Sequence, residues 1–77
     1  MKINILFFGQ LTDITGTSNM TMEEVSDTNS LIIKLSQQFP ALGKSTYIIA
    51  VDKHVISENT ILSNNSIVAL LPPFSGG

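Results

Sequence analysis

Residues 27–40 read DTNSLIIKLSQQFP, and this segment carries a clear helical pattern. Asp27 or Thr28 can cap a helix, because either side-chain oxygen can accept from the free N–H groups of the first turn. Pro40 ends the pattern, since proline disfavours helical backbone at the residue before it. We therefore predict one main helix that runs to about Gln38. Its apolar residues recur at helical spacing, at Leu31, Ile32, Leu35 and Phe39.

Strand patterns flank this helix on both sides. Before it, residues 2–8 place apolar side chains on both faces of a strand, and residues 18–25 alternate polar and apolar ones. These two strands would pair antiparallel, joined by a loop in which Leu11 and Ile14 have the spacing of one helical turn closed by Gly16. After the helix we predict three further strands, at residues 46–51, 54–56 and 66–71, with a turn at 52–53 and an end at 72–73.

The order strand, strand, helix, strand, short strand, strand predicts the fold. It indicates an α+β roll of β-grasp type, a mixed sheet of four to five strands packed on one main helix. We expect a single domain over residues 1–77, with a flexible tail at 72–77. We also expect the crossover through the helix to place the third strand beside the first, and the last strand beside the first as well.

The composition of the 77 residues excludes several functions. The chain has no Cys, which rules out a disulfide framework, a thiolate metal site and a thiol nucleophile. Its net charge of -2 makes a nucleic-acid-binding surface improbable. The first residues resemble a signal peptide, but the apolar run is short and lacks a cleavage site, and no run approaches the roughly 18 apolar residues that span a bilayer. We expect a cytoplasmic protein with neither a nucleic acid nor a membrane as partner.

The last strand is apolar on both faces, although only one face can meet the helix. The other face is either covered by loops of the same chain or forms a partner surface, to which Val55 and Ile56 would contribute. The alternating positions are Val68 and Leu70 on one side, and Ile67, Ala69 and Leu71 on the other.

The sequence closes with the segment LPPFSGG, residues 71–77. Two prolines favour an extended exit from the sheet, and two glycines make a thin end. An α-carboxylate has a pKa of about 3.3–3.7, so it is ionised and unreactive until it becomes an acyl-adenylate or a thioester. Side chains at the last two positions would block the channel of an activating enzyme. The segment therefore indicates an activated C-terminus, and the alternative is a frayed end without function.

Three motifs closely resemble the small subunit of molybdopterin synthase, a family of ubiquitin-like sulfur carriers. They are ILFFG at residues 5–9, IAVD at 49–52 and IVALLPPFSGG at 67–77, and the resemblance covers the entire chain. Members of this family end with two bulky apolar residues, Pro-Pro, two variable residues and Gly-Gly. Leu70-Leu71 stands where Phe-Phe is frequent, and Asp52 stands where Asn is common, so the resemblance assigns no role to the Asp52 side chain.

This resemblance implies a mechanism of sulfur transfer. An E1-like adenylyltransferase would use Mg-ATP to adenylate the carboxylate of Gly77, and a sulfurtransferase would convert it to a thiocarboxylate. The sulfur would then pass to cyclic pyranopterin monophosphate in the large synthase subunit, within a heterotetramer, during molybdenum cofactor biosynthesis. The chain would bind no cofactor and would not be catalytic alone.

The resemblance also implies roles for individual residues. Val55, Leu71 and Phe74 would belong to an apolar docking surface. The prolines Pro72 and Pro73 would direct the tail, with Ser75 as a further partner-binding residue, and Gly76 and Gly77 would serve activation. The lone histidine, His54, lacks the companions of a triad or metal site and is expected to be solvated.

Three other functions remain open at this point. A thiamine-pathway sulfur carrier has the same fold and terminus, although Pro72-Pro73 argues against it. A ubiquitin-like modifier would share the activation step and form an isopeptide bond from Gly77 to target lysines. A plain β-grasp interaction module would have an inert tail.

Overall fold

In the computed structural model, which describes residues 1–73, all the predicted strands and helices are present. The third strand starts at Ile48 rather than at residue 46. None of the helices in this described part has the length and apolar character that a membrane crossing needs. The elements are β1 (Lys2–Phe7), α1 (Leu11–Thr15), β2 (Asn19–Glu23), α2 (Thr28–Gln38), a 3₁₀-helix (Pro40–Lys44), β3 (Ile48–Val51), β4 (His54–Ile56) and β5 (Ile67–Leu71).

The five strands form one mixed sheet in the order β2-β1-β5-β3-β4. β1 and β5 run parallel, and the other neighbouring pairs run antiparallel. The expectation that β3 would lie beside β1 is wrong. A strand has two edges, and those of β1 are occupied by β2 and β5, so β3 pairs with the far edge of β5 instead. The result is a β-grasp roll in which β5 lies at the centre of the sheet.

Helix α2 begins where the capping residues predict. The Oδ1 atom of Asp27 accepts from the Ser30 N–H at 3.0 Å, and its Oδ2 accepts from the Asn59 amide at 3.1 Å. The hydrogen bonds from Ser30 and then from Asn59 favour the ionised form, so they lower the pKa of the Asp27 carboxyl. The helix ends at Gln38, and Pro40 opens the 3₁₀-helix that follows. This cap fixes the helix across one face of the sheet.

The core lies between α2 and the sheet face beneath it. Alternation along β1 and β5 sends every second side chain to this face, and the helix adds Leu31 and Leu35, which are fully buried. Residues of the loops complete the core. The buried cluster consists of Ile3, Ile5, Phe7, Leu11, Val25, Leu31, Leu35, Leu42, Val51, Leu62, Val68 and Leu70.

The turn between β3 and β4 is tied to the start of β5. Asp52 and Lys53 have φ values of 47° and 74°, the pair of positive angles that a two-residue type I′ hairpin turn requires. The Asp52 N–H donates to the Ile67 carbonyl at 2.8 Å, and the Ile67 N–H donates to Asp52 Oδ1 at 2.9 Å. The Asp52 carboxylate thus accepts the hydrogen bond from the Ile67 N–H that a backbone carbonyl would accept in a continuous ladder, at the point where the chain turns from β3 into β4. This gives Asp52 a structural role that the sequence did not assign.

Candidate functional site

The face of the sheet opposite α2 carries a row of apolar side chains across four strands. Leu6 of β1 lies opposite Ala69 of β5, Ala69 lies opposite Ala50 of β3, and Ala50 lies opposite Val55 of β4. Residues directly opposite one another in a ladder project from the same face of a sheet. We call this the apolar sheet face, and it consists of Leu6, Phe8, Ile48, Ala50, Val55, Ile67, Ala69 and Leu71.

The apolar sheet face is open to solvent. Phe8 and Ile67 are each 43% exposed, and Val55 is 71% exposed. Most of the face lines a shallow depression of about 420 Å³, whose rim includes Asp52 and Lys53. Contiguous exposed apolar surface with a polar rim is typical of a binding site for another protein. Of the two explanations left open by the sequence, coverage by loops of residues 1–73 is therefore wrong.

The polar boundary of this face lies on β2. Asn19 pairs with the apolar Leu6, and Thr21 pairs with the polar Asn4, so the apolar side chains of this face end at β2 and at the start of β1. All three polar positions of β2, Asn19, Thr21 and Glu23, are exposed. The apolar surface is thus confined to β1, β5, β3 and β4.

The root of the tail leaves from the end of the central strand of this surface. Leu71 ends β5, and the Phe8 N–H donates to the Leu70 carbonyl at 3.1 Å, which extends the β1–β5 ladder to the last residues of the strand. Pro72 is half-buried and Pro73 is exposed. A segment that continues from Pro73 therefore starts beside the apolar sheet face. The predicted tail residues Phe74, Ser75, Gly76 and Gly77 lie outside the described residues.

The structure places the remaining predicted residues as follows. Val55 lies on the apolar sheet face, whereas the expected contribution of Ile56 is wrong. Ile56 pairs with Ile49, and both pack against the core, because neighbouring residues of a strand project to opposite faces. His54 is exposed on β4, as expected. No group of three or more His, Cys, Asp or Glu residues within 1–73 is arranged to hold a metal ion.

Sequence reasoning did not include Leu6, Phe8 and Ala50 in the site. Leu6 and Phe8 were recognised as apolar residues on the second face of β1, and the last strand was expected beside β1, but the two observations were not combined into one surface. The parallel pairing of β1 with β5 brings Leu6 and Phe8 alongside Ala69 and Leu71. The signal was present as alternation, and the strand order was needed to use it.

A second depression of about 430 Å³ lies at the edge of the sheet formed by β3 and β4. Its lining comes from the start of α2, from β3 and β4, and from the loop after β4, with Tyr47, Ile56 and Asn59 among its residues. Burial raises the pKa of the Tyr47 phenol. Val55 and Ile48, which pairs with Leu71, also line this groove. The apolar sheet face is still the better candidate for a site that works together with the tail, because its depression contains Leu71 itself together with Phe8 and Ala69.

Comparisons with known proteins agree with this geometry. The model of the ThiS family matches residues 5–77. The chain is 27% identical, over 81 aligned residues, to the molybdopterin synthase sulfur carrier subunit of Arabidopsis thaliana, and the alignment covers 100% of this chain and 84% of the relative. The resemblance to molybdopterin synthase small subunits is therefore confirmed.

Two solved structures share the fold. One is a complex of subunits 1 and 2 of the molybdopterin-converting factor from Helicobacter pylori. The match to it has a TM-score of 0.76 and 28% identity, and it covers 100% of this chain and 100% of the matched chain. The other is the small archaeal modifier protein 1 from Methanosarcina acetivorans, with a TM-score of 0.84, 21% identity, and coverage of 99% of this chain and 96% of that chain. At that lower identity the likeness shows the fold alone. Since the family match spans all but the first four residues, the chain belongs to the ThiS family.

Proposed function

We propose that this chain is the sulfur-carrier subunit of a molybdopterin synthase, with Gly77 as the residue that carries the sulfur. The observation that carries the proposal is the position of the tail root, which leaves the central strand β5 beside an exposed apolar sheet face. A body that docks through this face would deliver the end of the tail into the same partner. The sulfur carrier subunit of Arabidopsis thaliana, 27% identical over the whole chain, supports the same function.

Activation of the tail takes place on other proteins in this proposal. An E1-like adenylyltransferase uses Mg-ATP to join AMP to the Gly77 carboxylate, with pyrophosphate as leaving group. A sulfurtransferase then delivers sulfur at the sulfide level, which attacks the acyl-adenylate and displaces AMP, so that the terminal carbonyl keeps one oxygen and gains one sulfur. Gly76 supports this step because a glycine leaves room in a narrow channel. In this proposal the ATP site belongs to the adenylyltransferase, and the chain binds no cofactor of its own.

The sulfur is then transferred in the large synthase subunit. There the thiocarboxylate sulfur attacks a side-chain carbon of cyclic pyranopterin monophosphate, and an oxygen leaves that carbon. Water then hydrolyses the acyl–sulfur bond and returns Gly77 to a carboxylate, and two small subunits supply the two sulfurs of the molybdopterin dithiolene in turn. The Helicobacter pylori structure, a complex of subunits 1 and 2 at 28% identity, supports a large subunit as the docking partner. We propose that Val55, Leu71 and Phe74 contact it, with Ser75 in the channel, and that the complex is a cytoplasmic heterotetramer.

The direction of the tail follows from its two prolines. Each proline fixes φ near -65° and offers no N–H, so residues 72 and 73 cannot fold back onto the sheet edge as a continued strand. Beyond Pro73, the four residues to Gly77 reach about 14 Å when fully extended at about 3.3–3.6 Å per residue. That length suffices for the carboxylate to enter a pocket while the apolar sheet face stays docked.

The test is a reconstituted synthase. Thiocarboxylated chain, the large subunit and cyclic pyranopterin monophosphate are combined, and molybdopterin is measured by chromatography with mass detection. We expect product in proportion to the thiocarboxylate consumed. The matched control is a chain with one extra residue after Gly77, which keeps the folded body and removes the reactive end, and it should give none.

The other functions predict different products. A ubiquitin-like modifier would yield an isopeptide bond between Gly77 and lysines of other proteins, and a thiamine-pathway carrier would pass its sulfur to a thiazole precursor. Full synthase activity from the extended chain would contradict the proposal outright.

A further inference from the structure

Gly9 lies directly beneath the first proline of the tail. It follows β1 and has a φ of +57°, in the left-handed region. A Cβ atom built at this position would lie 2.7 Å from Cγ of Pro72 and 3.4 Å from its Cδ. Real Cβ atoms essentially never come within 3.0 Å of another heavy atom, so any side chain at position 9 would force Pro72 or the backbone to move.

The backbone around Gly9 is firmly held. Its carbonyl accepts from the Thr12 N–H at 3.2 Å and from the Thr12 hydroxyl at 2.8 Å. The preceding residue, Phe8, donates to the Leu70 carbonyl, and its own carbonyl accepts from the N–H of Leu11, which is fully buried. Gly9 is therefore part of a hydrogen-bonded turn between β1 and α1. We expect a side chain at position 9 to displace Pro72 rather than this turn.

Gly16 provides an internal comparison. Its φ of +75° also lies in the left-handed region, but a Cβ atom there would meet nothing within 4 Å. The backbone angle alone accounts for the glycine at position 16. At position 9 the angle would also tolerate Asn or Asp, but the contact with Pro72 leaves no room for any side chain.

We propose that Gly9 is a positioning residue for the reactive tail. Because position 9 has no side chain, the Pro72 ring can pack against the Gly9 backbone. The orientation of that ring sets the direction in which the residues beyond Pro73 leave the sheet. Proline has no N–H, so it cannot continue the hydrogen bonds of the β1–β5 ladder, and packing against Gly9 is what positions Pro72 beyond the end of that ladder. A side chain at position 9 would tilt the tail while the apolar sheet face stays unchanged. The inference rests on the proposed function, in which Gly77 must reach a reaction centre.

The effect on reaction is expected because Pro72 sets the point from which the tail leaves the docked apolar sheet face. A displaced Pro72 ring would therefore change the approach of the Gly77 carboxylate to the reaction centre. A misplacement of about 1 Å can cost a reaction about 100-fold. We therefore expect the Gly9→Ala variant to lower kcat/KM for adenylation by the activating enzyme at least about tenfold.

The experiment compares Gly9→Ala with Gly16→Ala. Both variants place alanine at a left-handed angle, so both should lower the melting temperature, with a further loss in Gly9→Ala from the contact with Pro72, and only Gly9→Ala should lower kcat/KM for adenylation. The chemical shifts of the Pro72 ring protons should change in Gly9→Ala and stay in place in Gly16→Ala. Equal adenylation rates for the two variants would overturn the inference.

A third and a fourth variant separate the contact from general loss of structure. Pro72→Ala removes the ring and leaves the backbone angle at Gly9 untouched. Adding Gly9→Ala to Pro72→Ala should then cause little further loss of kcat/KM, since the clashing atoms are gone. The same loss in both backgrounds would overturn the positioning role. If the wild-type chain is not adenylated at all, the proposed function fails, whereas the ring-proton shifts still report whether Gly9 seats Pro72.

Discussion

The two faces of the sheet carry similar side chains in very different surroundings. Along β5, Val68 and Leu70 are fully buried under α2, while Ile67 on the opposite face is 43% exposed. Composition does not separate these two sets, since both are aliphatic. The two sets differ because helix α2 packs on one face of the sheet and leaves the other face uncovered. The face covered by α2 stabilises the fold, and the apolar sheet face, the open face of the sheet, keeps its apolar area available for binding.

The adjacent residues Leu70 and Leu71 offer the sharpest way to break this comparison. Leu70 is fully buried, so Leu70→Ala should lower the free energy of unfolding by about 2–5 kcal/mol. Leu71 is half-buried on the open face, and Leu71→Ala should lower it by about 1 kcal/mol or less. Urea unfolding of the two variants measures both values. Equal losses would mean that the open face is also structural.

Val55 tests the open face as a binding surface. The Val55→Lys variant should weaken binding to the large subunit about tenfold or more, because a charge would be buried in an apolar contact, and tenfold in Kd corresponds to about 1.4 kcal/mol. Its stability should stay within about 0.5 kcal/mol of wild type, since Val55 is 71% exposed. Titration calorimetry measures the binding.

The matched control for this variant is Ile33→Lys. Ile33 is 59% exposed on α2, which packs on the other side of the sheet. The same change there should leave Kd for the large subunit unaltered. Similar weakening by both variants would indicate an effect of charge alone rather than of the apolar sheet face.

Asp52 tests how the edge of the open face is held. Asp52→Ala removes the acceptor of the Ile67 N–H and places alanine at a φ of 47°, so we expect a loss of about 1–2 kcal/mol in the free energy of unfolding. Asp52→Asn keeps an acceptor oxygen and tolerates the angle, and should differ from wild type by less than about 0.5 kcal/mol. Thermal or urea unfolding checks both. A large loss in Asp52→Asn would assign the stability to the charge instead.

Asp27 gives the smallest effect, on the covered side of the comparison. Its pKa in the folded chain lies below 3.8 because Ser30 and Asn59 donate to the carboxylate. A lowered pKa contributes stability that is present above the unfolded value and is lost as the pH falls through the folded value. Wild type should therefore lose slightly more stability than Asp27→Asn as the pH falls below about 4. Identical acid unfolding curves for the two would contradict the role of the charged cap.

Most of the fold could be predicted from local pattern. The helix from Asp27 to Pro40 has a capping residue, apolar spacing and a proline stop, and each of these acts within a few residues. The order of the strands was predicted only in part, since β2 and β5 lie beside β1 as expected but β3 pairs with β5 instead of β1. Pairing of β5 between β1 and β3 is a long-range choice, and a pattern within one strand shows which side chains share a face but not which strand lies next to it.

The candidate site was only partly predictable for the same reason. Val55 and Leu71 could be placed on an open face from alternation, but Ile56 was assigned to that face wrongly, because the neighbouring position in a strand projects to the opposite side. The roles of Asp52 and Gly9 depend on contacts with Ile67 and Pro72, which are far away in sequence. The reactive end at Gly77 was inferred from residue types alone and stays a prediction.

The measurement that bears on this prediction is the intact mass of the chain. It would be produced with an untagged C-terminus beside its native activating and sulfurating enzymes, and purified quickly to limit hydrolysis. We predict a species in which one terminal oxygen is replaced by sulfur, and its absence from a chain extended by one residue after Gly77. An unmodified mass together with intact adenylation of Gly77 would contradict sulfur transfer and favour a protein modifier.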